Sequence, residues 1–315
     1  MKELRIVFMG TPDFAVGILD AILKKDYNVV GVVTAPDRPA GRGRKLNQSA
    51  VKKYVENEGL PILQPTNLKS EEFLKDLKGL HANLQIVVAF RMLPKVVWQM
   101  PDYGTFNLHA SLLPEYRGAA PINWAIINGE SKTGVTTFFI DEKIDTGAII
   151  LQKEINILPD EDAGSLHDKL MVLGSETVLN TIGRIAAGNF QTVQQKNSKE
   201  LKLAHKIQRD TCRIDWNQSI DDIYNLIRGL SPYPAAWTVL YNEEDEIITK
   251  IYRVSKEIAV HQLKNGSLIS NKKELKVAVD GGYIKLKEIQ LQGKRKMAII
   301  DVLNGLKLSK SAHLS

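Results

Sequence analysis

The chain has 315 residues, 43% of them hydrophobic and 25% charged, which is the balance of a globular protein with room for two domains and excludes a disordered or fibrous chain. A single cysteine, Cys212, excludes an intrachain disulfide framework, leaves too little sulfur for a structural zinc site and fits a reducing compartment. The net charge of +6 is unevenly spread: residues 250–315 hold 14 Lys or Arg against 5 Asp or Glu, an excess of nine, so residues 1–249 stand at −3.

Met1-Lys2-Glu3-Leu4-Arg5 opens the chain without a secretory apolar region. No later run reaches the roughly 18 apolar residues of a membrane span, so a cytoplasmic protein with no membrane partner is expected. Leu4–Met9 predicts a buried strand ending at Gly10-Thr11-Pro12-Asp13, where Thr11 is expected to cap a helix that has Pro12 in its first turn. Asn28–Val33 predicts a second strand. A basic stretch follows: Arg38, Arg42, Arg44, Lys45, Lys52 and Lys53 stand against Asp37, and residues 35–49 read as an inserted loop. Helices near 49–58 and 69–78, strands at Asn83–Ala89 and Gly104–His109, a helix at Ala120–Asn128, strands at Gly134–Asp141 and Ala148–Ile157 and a helix at Ser165–Ala187 complete residues 1–188. Strands alternating with helices predict a doubly wound, mostly parallel, Rossmann-like α/β sheet.

Residues 189–206 are polar, lack an apolar stripe of either period and read as a linker. Beyond it a helix is expected over 219–229. Short strands follow at Ala236–Tyr241, Ile247–Val254, Gly266–Ser270, Leu275–Val279 and Tyr283–Leu291, a pattern that predicts a small OB-like β-barrel domain over 207–315. Two separated basic surfaces point to a polyanionic partner, although a lysine-rich face that is merely solvated reads the same way.

Asn107 and His109 are two apart, so in a strand both side chains leave one face, and the following Ala110–Pro114 turn places them at a strand's carboxyl end, where doubly wound sheets bind ligands. Asp145 lies in the loop Asp141–Gly147, between two strands expected nearby. A carboxylate can orient an imidazole, and an amide NH2 can meet a developing oxyanion, which suits acyl or formyl transfer. Taken singly, Asn-x-His also fits a hydrogen-bonded structural element, and Asp145-Thr-Gly a turn closed by its own side chain. There is no Gly-x-Ser-x-Gly nucleophile, Cys212 is remote in sequence, and Gly41-Arg-Gly43 lacks the third glycine of a dinucleotide fingerprint, so direct attack by a substrate amine is the simpler chemistry.

Phe106-Asn-Leu-His109, Ser111-Leu-Leu-Pro114, Arg117-Gly118-Ala-Ala-Pro-Ile-Asn-Trp124 and Asp145-Thr-Gly147 resemble the signature of the folate-dependent formyltransferases. That resemblance implies catalytic roles for Asn107, His109 and Asp145. It also implies a folate site drawn from Val88, Ala89, Phe90, Arg91, Ser111, Leu112, Leu113, Pro114 and Asp141. Val7–Ala15, Asp37–Leu46, Ser231–Trp237 and Gly293–Met297 with Asp301–Gly305 resemble the methionyl-tRNA formyltransferase branch over nearly the whole chain. The branch implies 10-formyltetrahydrofolate as co-substrate, no metal and initiator methionyl-tRNA as partner. It further implies tRNA contacts through Arg38, Arg42, Arg44 and Lys45 on the inserted arm and Lys294, Arg295 and Lys296 on the barrel, and a monomer is expected. The sequence departs at Val87-Val-Ala-Phe-Arg-Met-Leu-Pro94, where the family reads Tyr-Gly and is one residue longer. Two rivals are an enzyme formylating an amino-sugar nucleotide, which has no use for two basic surfaces, and a tRNA-binding protein without catalysis.

Overall fold

Leu4, Ile6, Val7, Phe8 and Met9 are all buried, and the strand they start is an inner strand of one of two seven-stranded sheets in the computed structural model, which describes residues 3–40, 45–196 and 200–315. The elements begin β1 (Ile6–Gly10), α1 (Asp13–Leu23), β2 (Val29–Val33), β3 (Arg38–Ala40), β4 (Lys45–Asn47), α2 (Ala50–Val55), β5 (Ile62–Leu63) and α3 (Glu71–Gly79). They continue β6 (Leu84–Val88), α4 (Lys95–Trp98), β7 (Thr105–His109), β8 (Arg117–Gly118), α5 (Pro121–Ile127), β9 (Lys132–Phe139), β10 (Ile149–Asn156) and α6 (Ala163–Ala187). The sheet order is β10-β9-β7-β6-β1-β2-β5. The pairs β1/β2, β1/β6, β2/β5 and β6/β7 are parallel and β7/β9 is antiparallel, so the sheet is doubly wound and mostly parallel. Unbroken burial of β1 and β6 follows from their mostly apolar sequences, since a strand covered on both faces needs no polar alternation; the one polar residue, Gln85 of β6, is paired with Thr105 Oγ1 at 2.9 Å.

Two helix starts follow side-chain chemistry. Ser49 Oγ accepts from Lys52 N at 3.0 Å to cap α2, and Ser70 Oγ accepts from Phe73 N at 3.4 Å to cap α3. The expected Thr11 cap of α1 does not form. Pro12 itself is extended at the cap position, with no side-chain bond, which moves the helix start one residue past the reach of Thr11. The Thr11 carbonyl instead accepts from Val51 N at 3.4 Å. The inserted basic loop is partly a two-stranded ribbon, with Arg38 opposite Asn47 and Ala40 opposite Lys45. Its base is tied down by Asp37, which accepts from Lys52 Nζ at 2.5 Å and Gln64 Nε2 at 2.8 Å.

The chain divides into two compact units, Met1–Gly118 with Thr133–Ile155 and His167–Leu203, and Ala119–Lys132 with Asn156–Leu166 and Ala204–Ser315. In the first, the stretch after α6 carries structure of its own. Val193 exchanges two backbone bonds with Ile149 (2.8 and 2.9 Å), and Phe190 packs on Phe139 with ring centroids 5.8 Å apart. Polar residues doing their pairing through the backbone leave no periodicity to read.

After β11 (Leu203–Ala204), at which the first unit ends and the last segment of the second begins, the second unit adds α7 (Ile220–Leu230), β12 (Ala236–Asn242), β13 (Asp245–Ile258), β14 (Leu268–Ser270), β15 (Leu275–Val279), β16 (Gly282–Leu291), β17 (Met297–Ala298), α8 (Ile299–Gly305) and β18 (His313–Leu314). Its sheet runs β14-β15-β16-β13-β12-β18, with β17 alongside β16, and every recorded pair in it is antiparallel. The two ends of that path meet: Ser267 bridges His313, and Leu314 N donates to Gly266 O at 2.9 Å, which nearly closes the sheet into a barrel. Ile223, Ile227 and Leu230 of α7 join Ile251, Val277, Ile284 and Ile289 in its core. Helix α5 also belongs here, with Asn123 Nδ2 donating to Gly229 O at 2.7 Å. The 156–166 segment is fixed to α7 as well, through Tyr224 Oη to Asp160 (2.7 Å) and Arg228 Nη1 to Glu161 O (2.8 Å). Among the described residues no helix is long and apolar enough to cross a membrane, and no cluster of three His, Cys, Asp or Glu side chains could hold a metal.

Candidate active site

Strand β7 alternates as its sequence requires. A side chain built on Gly174 of α6 would meet Leu108, which marks the face of β7 that packs on that helix, while Asn107 and His109 share the other face. His109 Nε2 lies 2.8 Å from Tyr116 O. A carbonyl only accepts, so Nε2 donates to it and Nδ1 is left for another partner. Facing Nδ1 at 3.8 Å is Asp145 Oδ2, from the loop between β9 and β10. Both side chains are largely buried, at 7% and 14% exposure, so water screens the pair weakly.

Asp145 is held from two directions. Its Oδ2 accepts from Gly118 N at 2.9 Å, and its own carbonyl accepts from Gln195 Nε2 at 3.0 Å. Its φ of +54° is in the left-handed region, which Asp tolerates better than most residues. Two glycines make the arrangement possible. Gly118 has φ +123°, and a Cβ on Gly147 would fall on the Phe139 carbonyl oxygen. The third residue of the set, Asn107, has a buried Oδ1 with no hydrogen-bond partner among the described residues. A buried acceptor without a donor is costly, and at a site it marks where a ligand donor would fit. Amide, imidazole and carboxylate thus gather at the carboxyl end of β7, the edge at which such sheets hold ligands.

Residues 4–182 match the family model for formyl transferase, and residues 206–307 match that for the formyl transferase C-terminal domain. The chain belongs to the formyl transferase family. Among its curated relatives, methionyl-tRNA formyltransferase of Flavobacterium johnsoniae is 60% identical over 312 residues, 99% of each chain. That of Parabacteroides distasonis is 53% identical over 313 residues, 97% of each. A solved sugar 3N-formyl transferase, crystallised in the presence of dTDP and 5-N-formyl-THF, superposes with a TM-score of 0.65 at 19% identity, covering 94% of this chain and all of its own, which bears on the fold alone.

In this formyl transferase the residues expected at the folate site fall on three loops. Val88 ends β6 fully buried, and Ala89 follows it with φ +47°. Phe90 is half-buried beside Arg91, whose guanidinium lies 5.6 Å from the Phe90 ring centroid. Arg91 donates from Nη1 to Thr66 O at 3.0 Å and from Nη2 to Pro65 O, strapping the loop after β6 to the loop after β5. Burial, and then the nearby charge of Arg38, push that guanidinium below its ordinary value. The arginine that departs from the family pattern therefore spends two of its donors on backbone.

Ser111, Leu112, Leu113 and Pro114 form a turn pinned from the neighbouring strands. Ser111 Oγ donates to Glu115 O at 2.7 Å, and Thr136 Oγ1 donates to Ser111 O at 2.6 Å while accepting from Leu113 N at 3.2 Å. Gln152 Nε2 donates to Leu113 O and to Thr136 Oγ1 at 2.7 and 2.9 Å. Asp141 closes the other loop on itself, accepting from Thr146 Oγ1 at 2.7 Å and Lys143 N at 2.9 Å. Thr136, Gln152, Tyr116 and Gln195 were not singled out by their sequence context, because each acts through a backbone group brought near only by the fold.

Of the residues expected on the polyanion surfaces, Arg38 stands on β3 with no ion pair among the described residues, Arg42 and Arg44 lie outside the described residues, and Lys45 is placed by its backbone alone. Lys294, Arg295 and Lys296 form an exposed turn between β16 and β17. Lys296 is paired with Glu288 at 3.0 Å and lies 5.0 Å from the Tyr252 ring centroid.

Proposed function

We propose that this protein transfers the formyl group of 10-formyltetrahydrofolate to the α-amino group of methionyl-initiator tRNA. The observation that carries the chemistry is the meeting of His109 and Asp145 at 3.8 Å beside the unpartnered Asn107 amide oxygen. The choice of amine is supported by relatives named methionyl-tRNA formyltransferase that match this chain over its length.

When bound, 10-formyltetrahydrofolate supplies an activated formyl carbon; the chain's own residues hold the amine and handle charge and protons. Asn107 Oδ1 accepts an N–H of the attacking amine and so fixes its direction, while the Asn107 NH2 faces the oxygen that gathers charge as the amine adds. His109 Nε2 is already committed to the Tyr116 carbonyl, which leaves Nδ1 to take the amine proton. Asp145, itself oriented by Gly118 N, stabilises the imidazolium that results, and His109 returns the proton to the folate nitrogen as its bond to the formyl carbon breaks and tetrahydrofolate leaves. The folate loops are the strapped segments around Arg91, Ser111–Pro114 and Asp141. The tRNA phosphates lie along the 35–49 arm and the basic residues of 250–315, in a cytoplasmic monomer whose second domain spans residues 207–315.

A formyl-transfer assay with charged initiator tRNA, uncharged tRNA and free methionine tests the reading. Product is expected with charged initiator tRNA alone. Transfer to an amino-sugar nucleotide in its place, or tRNA binding with no consumption of formyl donor, overturns it.

A further inference from the structure

Gln195 lies in the polar stretch that follows α6, and its side-chain amide makes four bonds. Nε2 donates to Asp145 O at 3.0 Å and to Gly147 O at 2.8 Å; Oε1 accepts from Arg117 Nε at 3.1 Å and Nη2 at 2.6 Å. These bonds use both amide hydrogens and both oxygen lone pairs, so the group is saturated and cannot rotate without breaking several contacts. Arg117 is bonded covalently to Gly118, and Gly118 N donates to the Asp145 carboxylate. A ring therefore closes: Asp145 backbone, Gln195, Arg117, Gly118 and back to the Asp145 side chain. The residue before Arg117, Tyr116, receives the His109 ring hydrogen. One short segment, 116–118, thus grips both members of the His109–Asp145 pair, and Gln195 is the brace that fixes that segment to the Asp145 loop.

Two features exclude a role in closing a surface turn alone. The neighbouring backbone is already anchored without the side chain, by the paired bonds of Val193 with Ile149 and the Phe190–Phe139 contact. The two carbonyls bound by Nε2 also belong to Asp145 and Gly147 themselves, a stretch in which φ at Asp145 is left-handed and needs outside support.

We infer that Gln195 is a positioning residue for formyl transfer: it sets the backbone of Asp145, and through it the distance and aim of the carboxylate toward His109. The inference rests on the functional reading above. A displacement of about 1 Å at a reacting group costs up to about a hundredfold in rate, so loss of the brace should appear in turnover.

The test uses the full-length protein with Gln195→Leu, which keeps volume and removes every hydrogen bond, and Gln195→Glu, which keeps the acceptor for Arg117 but sets a carboxylate against the two carbonyls. Steady-state formylation of charged initiator tRNA is measured across pH beside thermal melting. The expected result is a fall in kcat of about tenfold to a hundredfold in both variants. KM for tRNA and for the formyl donor should stay within about twofold, and the limbs of the kcat–pH profile should be displaced, because those limbs report the groups that move protons in the complex. A loss that follows the melting temperature, a loss carried by KM, or a kcat–pH profile lowered without displacement overturns the assignment. If one variant fails to fold, the other decides. Wild-type protein that formylates no charged tRNA overturns the functional reading itself, whereas active wild type with unimpaired variants overturns only the role given to Gln195.

Discussion

Asp145 holds a left-handed backbone (φ +54°) and a buried carboxylate facing an imidazole, two demands that few residues meet together. Asparagine tolerates the same backbone and still accepts from Gly118 N, so Asp145→Asn should melt at the wild-type temperature. It cannot stabilise an imidazolium as a charge does, and turnover should fall about a hundredfold or more, with calorimetry and initial rates as the paired measurements. Asn107→Ala removes both the donor for the developing oxygen charge and the orphaned acceptor. We expect a loss of about 3 kcal/mol of barrier lowering, read as kcat at saturating tRNA, with tRNA affinity unchanged. Relief of an unsatisfied buried oxygen should make that variant slightly more stable, a split that a residue kept for packing would not give.

The turn carrying Ser111–Pro114 is shaped by hydroxyls and amides on β9 and β10 as well as by its own Ser111. Thr136→Val preserves shape while removing one hydroxyl, which strands Leu113 N and Ser111 O and leaves Gln152 Nε2 with only its bond to Leu113 O. A destabilisation of about 1–3 kcal/mol is expected in denaturant titration. Helix α7 offers a test in which two rules oppose each other. Alanine is favoured over glycine in a helix by about 1 kcal/mol. A Cβ on Gly229, however, would lie 2.6 Å from the Ile127 side chain and 3.1 Å from the Ile127 nitrogen. Backbone cannot yield as a side-chain tip does, so overpacking of about 1–3 kcal/mol wins and Gly229→Ala lowers the melting temperature.

Across the whole molecule, two phenols, Tyr54 half-buried and Tyr224 buried, set a limit at high pH. Burial and then Asp20 push Tyr54 up to about 12, and burial and then Asp160 push Tyr224 up to about 12. A raised folded-state value means the native protein keeps its phenol protonated longer than the unfolded chain does. The stability so gained is present below about pH 10, where an unfolded tyrosine titrates, and is lost as pH rises toward 12. Tyr224→Phe loses the Asp160 bond but has no phenol to ionise, so it should be less stable than wild type below about pH 10 and lose less stability between about pH 10 and 12, as followed by denaturant titration across pH. The excess of nine positive charges over residues 250–315 should make tRNA affinity fall steeply with salt, each replaced phosphate contact reducing the slope by about one.

What could be read in advance divides along the same physical lines. The central strands announce themselves because burial on both faces demands largely apolar runs such as Ile6–Gly10 and Leu84–Val88, the latter broken only by Gln85, which accepts from Thr105 Oγ1. Asn107 and His109 were legible as a pair because strand alternation is local. The two-residue β5, the Val193 pairing and the Gln195 brace were not, because they depend on backbone groups that only folding brings within reach. Thr11 misled because a favourable capping residue beside a proline does not determine which of the two takes the cap.

The seam between Ser267 and His313, with Leu314 donating to Gly266, also bears on how the chain is made. The doubly wound sheet has all its strands once residue 193 has emerged from the ribosome, so it can assemble while translation continues. The barrel must wait for residues 313–315, and until they arrive β12 offers an unpaired edge. Chaperone demand and sensitivity to premature release should therefore concentrate in the interval before residues 313–315 emerge.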